Sequence, residues 1–207
     1  HIIAKIKDSG ATAVAVMFLN SYQNPVNEQY VASRLLQALP GIFLAISSEL
    51  SNQFREYERL CGTVLNSFVG PEVKKYMQNL QTKLQDVGIE NTFINHSNGG
   101  LMSIHETVQF PIKTGLSGPA AGVVGAQYIS ELIGEKNLIT IDIGGTSTDI
   151  SVVVDGVFEG SSERTISGYP VRIPSIDIST IGAGGGSIGW VDNCGVLKVG
   201  PQSAGAL

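Results

Sequence analysis

The sequence predicts an α/β fold in two parts, and three observations carry that expectation. Through the first 98 residues, strand-length apolar runs alternate with helix-length segments of 3.6-residue periodicity. Glycine then rises, from 5 in residues 1–98 to 20 in residues 99–207, and past residue 137 the helical periodicity gives way to short strands and glycine turns. Residues 138–154 read as a buried strand, a tight glycine turn and a second strand, with one aspartate on each side of the turn.

Each element follows from local signals. Residues 2–8 predict the end of a helix, stopped by Gly10. The continuous apolar run 12–19 has the pattern of a strand covered on both faces. Asn24-Pro25 opens a helix with Val31, Leu35, Leu36 and Leu39 as its apolar positions, ended by Pro40-Gly41, and 42–47 is a second strand. A helix over 52–68 places Tyr57, Leu60, Val64 and Phe68 on one face. Gly70-Pro71 predicts a break there, with Pro71 in the first turn of a new helix running to Val87, with Val73, Tyr76, Met77, Leu80 and Leu84 inward. The cluster Arg55, Glu56, Glu58 and Arg59 reads as a solvated helix face.

Residues 92–96 form a short strand before the turn Ser97-Asn98-Gly99-Gly100. Ser117-Gly118-Pro119 starts a helix reaching Gly134, with Gly118, Ala121, Gly122 and Gly125 on one side. Glycine within a helix costs about 1 kcal/mol against alanine. A close helix crossing is the expected compensation, and Gly122→Leu is expected to destabilise by steric clash. Strands are predicted at 138–143, 149–154 and 157–161, and around 170–179 and 188–192. The domain boundary is expected at 134–137, dividing residues 1–135 from 137–207.

Composition excludes several classes of function. Apolar residues make up 43% and charged residues 15%, so a packed core is expected and disorder is not. Net charge is −5 with no basic stripe, which argues against a nucleic-acid partner. No apolar run approaches the roughly 20 residues of a membrane span. Cys61 and Cys194 stand apart without metal-ligand spacing, and His96 and His105 lack a third ligand, so neither a disulfide framework nor zinc is expected and a cytoplasmic location fits. The first residues read as mid-helix and the last as a loop, so an internal fragment of a longer protein is expected.

The strongest chemical signal is Asp142-x-Gly144-Gly145-Thr146-x-x-Asp149. Glycines let backbone N–H groups approach phosphate oxygens without a Cβ in the way. Thr146, Ser147 and Thr148 add hydroxyl donors, and Asp142 and Asp149 offer hard oxygens to Mg2+ or orient a water. A plain hairpin needs neither the aspartate at the end of its first strand nor three hydroxyls in its turn. The second glycine segment, Ile181-Gly-Ala-Gly-Gly-Gly-Ser-Ile188, lacks the dinucleotide spacing. Its Gly184, Gly185 and Gly186 form either a second backbone clamp on a nucleotide or a flexible turn. Asp177 either reaches the same place or caps structure. Ser97–Gly100 reads as a turn that could line the cleft, and Ser117-Gly118 as either an anion site or an ordinary helix cap.

These residues carry a resemblance. The Asp-x-Gly-Gly-Thr-x-x-Asp hairpin resembles the second phosphate motif of the actin, sugar kinase and heat-shock chaperone ATPase superfamily. Arg55-Glu-Tyr-Glu-Arg59, Ser97-Asn-Gly-Gly-Leu-Met102, Leu116-Ser-Gly-Pro-Ala-Ala-Gly-Val-Val-Gly-Ala126 and Ile181-Gly-Ala-Gly-Gly-Gly-Ser187 are similar to the hydantoinase A/5-oxoprolinase family. That resemblance implies a partial actin-like (ribonuclease H-like) fold, with residues 1–135 ending the first lobe and 137–207 beginning the second. It implies ATP and Mg2+ as cofactors, a small cyclic amide or related carbonyl as substrate, and a second subunit or domain as partner. The implied reaction is ATP-dependent cyclic amide hydrolysis by carbonyl phosphorylation. Ketone carboxylation, a sugar or acetate kinase-like phosphotransfer, and a non-enzymatic ATPase switch are the alternatives. Ser179 stands where the family usually has histidine. The family's first phosphate hairpin is absent from these 207 residues, so weak nucleotide binding at best is expected from them alone.

Overall fold

The computed structural model describes residues 1–205. The chain forms two compact units, one of residues 1–96, 100–115 and 161–174, the other of residues 97–99 and 116–160 with everything from 175 onward.

The first unit is built on two parallel strands, β1 (Ala13–Val16) and β2 (Phe43–Ile46), with Ala13 opposite Phe43 and Val16 opposite Ile46. Helix α1 (Ile2–Ser9) precedes β1, and α2 (Val26–Ala38) makes the crossover that a parallel pair requires. Val16, Leu35, Leu39 and Ile46 form the buried centre, joined by Ile3 and Ile6 of α1. A short helix, α3 (Ser47–Leu50), leads to α4 (Glu56–Asp86), followed by the antiparallel pair β3 (Phe93–Asn95) and β4 (Leu101–Ser103), then α5 (Ile104–Gln109). A second core joins Leu50, Cys61 and Ile112 to Val171 and Ile173.

Helix α4 corrects the sequence reading twice. It runs unbroken for 31 residues with Pro71 inside it, where a break was expected. The reason is the buried stripe. Arg59, Thr63, Asn66, Gly70 and Met77 are buried at spacings of 4, 3, 4 and 7, so one helical face continues through Pro71 without a change of phase. Gly70 also admits Phe43 of β2, whose ring atoms stand 2.4 Å from where a Cβ would be. The burial of that face offsets the ~3 kcal/mol that an interior proline costs.

The second correction concerns which face is inward. Tyr57, Leu60, Val64 and Phe68 lie exposed, Phe68 at 80% and Tyr76 farther along at 62%, while the buried face is polar and small. Arg59, expected in a solvated cluster, is 1% exposed. Its Nη2 donates to the Phe18 carbonyl and to Ser21 Oγ, both at 2.7 Å, and its guanidinium lies over the Tyr22 ring. Ser21 Oγ meets Ser47 Oγ, which donates to Glu28 Oε1 at 2.7 Å. Two serines therefore link a buried arginine to a buried glutamate. Burial alone would raise the Glu28 pKa, but hydrogen bonds from Ser47, Ser48 and the Phe18 N–H hold it below the ordinary value of 4.5.

The second unit begins with α6 (Ser117–Ile133) and continues as the hairpin β5 (Leu138–Ile143) and β6 (Thr148–Val154), followed by β7 (Val157–Phe158). After β8 (Gly160–Ser161), the pair β9 (Arg164–Ile166) and β10 (Tyr169–Val171) belongs to the first unit. The chain returns through β11 (Ser175–Ile176), β12 (Ser179–Ile181), and the antiparallel pair β13 (Ser187–Val191) and β14 (Leu197–Ser203). The sheet runs β12-β6-β5, with β7 also on β6. Ala120 and Val123 of α6 pack on Val153 and Ile176 to form this unit's core. Gly99, at φ +86°, sits where a Cβ would lie 2.7 Å from Val124.

The reading of 138–143 as a buried strand is corrected. β5 is a sheet edge, and Ile139, Ile141 and Ile143 are 66%, 63% and 65% exposed on the face away from α6. The expected helix crossing at the small residues of α6 is not found either. A Cβ at Gly118, Gly122 or Gly125 would meet nothing within 4 Å among the described residues, so no neighbour packs closely on these glycines.

Candidate phosphate-binding hairpin

The antiparallel register of β5 and β6 sets Asp142 directly opposite Asp149, with Ile143 opposite Thr148 next to the turn. Directly opposed residues share a sheet face, with Cβ atoms about 5 Å apart. That face is the one covered by α6, and both aspartates line a groove of about 310 Å³ whose other wall includes Pro119, Gly122 and Ala126. The two aspartates therefore lie on one face of the sheet.

The turn between them is organised by its own backbone and by the second glycine segment. The Gly144 N–H donates to the Ser147 carbonyl at 2.9 Å, which removes it from the predicted phosphate donors. The Gly144 and Gly145 carbonyls accept from the N–H groups of Gly185 (2.9 Å) and Gly186 (2.8 Å). A trans peptide places its C=O and N–H on opposite sides. The amides of Gly145 and Thr146 therefore face away from these donors, and with Ser147 N–H they have no acceptor among the described residues. Consecutive unengaged amides in a glycine turn are an anion-binding nest. The hydroxyls divide similarly. Thr148 Oγ1 donates to the Ala183 carbonyl at 2.6 Å, whereas Thr146 and Ser147 flank the nest.

Gly184, Gly185 and Gly186 are brought to the hairpin, but their amides are engaged within the protein, Gly184 N–H by Ser187 Oγ at 2.8 Å and the other two by the turn carbonyls. Thr180 is a contributor the sequence reading missed. Paired with Asp149 across β12 and β6, it donates from Oγ1 to Asp149 Oδ1 at 2.6 Å, orienting that carboxylate. The pairing of β12 with β6 puts Thr180 on the aspartate face, and local periodicity does not specify that pairing. The Asp177 backbone N–H donates to the Glu159 carbonyl, and its carbonyl accepts from Ser151 Oγ. Ser179 lies on the opposite face, across from Ile150. The Ser117 end of α6 has no side-chain cap, Leu116 adopting a left-handed conformation before it.

A pair of carboxylates on one face fits Mg2+, which takes one or two protein carboxylates and completes its octahedron with water and phosphate oxygens. No group of three or more His, Cys, Asp or Glu converges among the described residues. No helix among them is long and apolar enough to cross a membrane.

The chain is similar to several known proteins. The chain is 34% identical over 201 residues to caprolactamase subunit alpha of Pseudomonas jessenii, covering 97% of this chain and 29% of that protein. The crystal structure of that organism's ATP-dependent caprolactamase superposes with a TM-score of 0.85 at 34% identity, over 99% of this chain and 30% of that one. The 5-oxoprolinase of Saccharomyces cerevisiae is 34% identical over 210 residues, 99% of this chain and 16% of that protein. The nucleotide-free structure of acetone carboxylase, described as carrying out ATP-dependent acetone carboxylation, matches at a TM-score of 0.81 and 26% identity, over 98% of this chain and 29% of that one. The chain thus spans 16% to 30% of the length of these relatives. The family model for hydantoinase/oxoprolinase matches residues 59–207, and the chain belongs to that family.

Proposed function

We propose that this chain is the phosphate-handling part of an ATP-dependent enzyme that hydrolyses a cyclic amide of the hydantoin or 5-oxoproline type. The observation that carries the reading is the hairpin itself: three amides without acceptors between two opposed carboxylates. In this reading Gly145, Thr146 and Ser147 bind phosphate oxygens through their N–H groups, and the Thr146 and Ser147 hydroxyls add donors. Asp142 and Asp149 hold Mg2+, with Thr180 fixing the rotamer of Asp149. Bound there, the metal neutralises phosphate charge. Phosphoryl transfer asks the protein for positioning and charge stabilisation more than for a nucleophile, and the hairpin offers both. Transfer to the carbonyl oxygen of the substrate turns that oxygen into a leaving group far better than hydroxide.

The same reading assigns an actin-like architecture, residues 1–135 completing a first lobe and 137–207 opening a second, with α6 as the connecting helix. A further subunit is part of it, as the names of relatives such as caprolactamase subunit alpha suggest. The likeness to acetone carboxylase favours one alternative, in which the activated carbonyl is attacked to form a carbon–carbon bond. Product analysis separates them: ring opening with ADP and phosphate marks the hydrolase, and a carboxylated product marks the carboxylase. In the full-length parent, Asp142→Ala abolishes nucleotide-dependent turnover while circular dichroism and melting temperature are retained. Near-normal turnover in that variant would remove Asp142 from the site.

A further inference from the structure

The amides of Gly184, Gly185 and Gly186 all have partners within the protein. We propose that the glycine segment 182–186 is a positioning element, a side-chain-free wedge between the phosphate hairpin and β14 that sets the direction of the turn's amides. The proposal rests on the phosphate reading of the hairpin.

Three close approaches define the wedge. A Cβ on Gly184 would lie 2.5 Å from the Gly144 carbonyl oxygen and 2.8 Å from the amide nitrogens of Thr146 and Ser147. These are backbone atoms of the nest, and they cannot swing aside as a side chain would. A Cβ on Gly186 would lie 2.9 Å from Ser203 Oγ and 3.0 Å from the Gly145 carbonyl oxygen. On the other side, Gly200 of β14, at φ +65°, abuts the segment, with the Gly182 carbonyl oxygen 2.5 Å from where its Cβ would be. Turn, segment and strand are therefore stacked backbone against backbone.

Hydrogen bonds hold this stack in register. Gly185 and Gly186 donate to the turn carbonyls, Thr148 Oγ1 ties the Ala183 carbonyl to β6, and Ala204 N–H reaches the Gly186 carbonyl at 2.8 Å. Trp190 Nε1 donates to the Gly200 carbonyl at 3.0 Å, anchoring β14 behind the segment. Because the two turn carbonyls point into the wedge, the amides of the same peptides point out of it. Donors held in place before the ligand arrives need no reorganisation to receive it. Gly182 is the contrast within the segment, since a Cβ there would meet nothing within 4 Å.

The test is calorimetric titration of ATP with Mg2+ into the full-length parent, which reads affinity and stoichiometry separately. Gly184→Ala raises the Kd for ATP about tenfold with unchanged stoichiometry, because the turn is displaced in every molecule. A purely structural defect would lower the stoichiometry through unfolded protein and leave Kd alone. Gly182→Ala stays within about twofold of the parent. Should Gly184→Ala fail to fold, Ser187→Ala removes only the acceptor of the Gly184 N–H and raises Kd about threefold, and Ser187→Thr restores it. A Kd within twofold for Gly184→Ala, or for Ser187→Ala where the first variant does not fold, overturns the wedge. Gly145→Ala distinguishes the two levels of the argument. If it weakens ATP while the wedge variants do not, the wedge alone falls. If none of them alters ATP binding, the phosphate reading falls and the wedge with it.

Discussion

The two glycine segments of the second unit, Gly-Gly-Thr-Ser at 144–147 and Gly-Ala-Gly-Gly-Gly at 182–186, have opposite structural situations. In the turn 144–147, the amides of Gly145, Thr146 and Ser147 have no acceptor among the described residues, and a Cβ at Gly145 would enter open space. In the segment 182–186, the amides of Gly184, Gly185 and Gly186 are all engaged, and a Cβ at Gly184 would strike three backbone atoms of the turn. Glycine richness therefore reports close approach of something to the backbone, but not what approaches. At Gly145 the approach is left open, whereas at Gly184 it is already made by the backbone of the turn.

The difference can be broken by exchanging the consequences. Gly184→Val in this chain lowers folding stability by about 3 kcal/mol, the cost of forcing a branched side chain into fixed backbone. Thermal unfolding followed by circular dichroism checks it, and a melting temperature unchanged within a degree would show that the wedge is not packed. Gly145→Val gives the inverse signature. Its melting temperature stays where it was, while ATP affinity of the full-length parent falls about a hundredfold, ~2.7 kcal/mol, because methyl groups occupy the approach to the amides. Loss of stability without loss of affinity at Gly145 would make the turn a structural hairpin after all.

How far the sequence could be read follows from the same distinction between local and distant signals. The hairpin was legible because alternation within two adjoining strands fixes which residues share a face, and Asp142 and Asp149 fall together on it. Thr180 escaped because its partner lies 31 residues away, across a pairing that periodicity cannot specify. Helix α4 misled for a related reason. Its apolar stripe at Tyr57, Leu60, Val64 and Phe68 is the expected core face, yet the packed face carries Arg59, Thr63 and Asn66, whose partners come from distant segments: Phe18 and Ser21 for Arg59, Gln109 and Ile112 for Asn66. A buried arginine looks like a solvated one until its acceptors are known. The exposed isoleucines of β5 were read as buried because β-branched alternation signals a strand, not the depth of its cover.

A smaller effect sharpens the boundary between ligand-facing and protein-facing groups. Thr180→Val keeps the shape of β12 but removes the donor to Asp149 Oδ1. The bond is exposed, so its net worth is about 1 kcal/mol. Magnesium titrations of ATP binding in the full-length parent then show an apparent metal affinity about fivefold weaker, with folding unchanged. Equal magnesium dependence in the two proteins would separate Asp149 from the metal.

The smallest effect concerns a third glycine group, for which neither kind of approach is seen. A Cβ at Gly118, Gly122 or Gly125 of α6 would have nothing within 4 Å, and Gly122 lines the groove whose opposite wall carries Asp142. Helix propensity alone then decides the outcome. Gly122→Ala raises the stability of this 207-residue chain by about 0.5–1 kcal/mol, since alanine restricts the unfolded backbone and meets no neighbour. Denaturant unfolding with an unchanged slope measures it. In the full-length parent the same substitution discriminates further. A gain of equal size there means that the groove stays open to solvent or small ligands, whereas a loss means that other parts of the parent close on α6, placing Gly122 with Gly184 among the glycines that protein approaches.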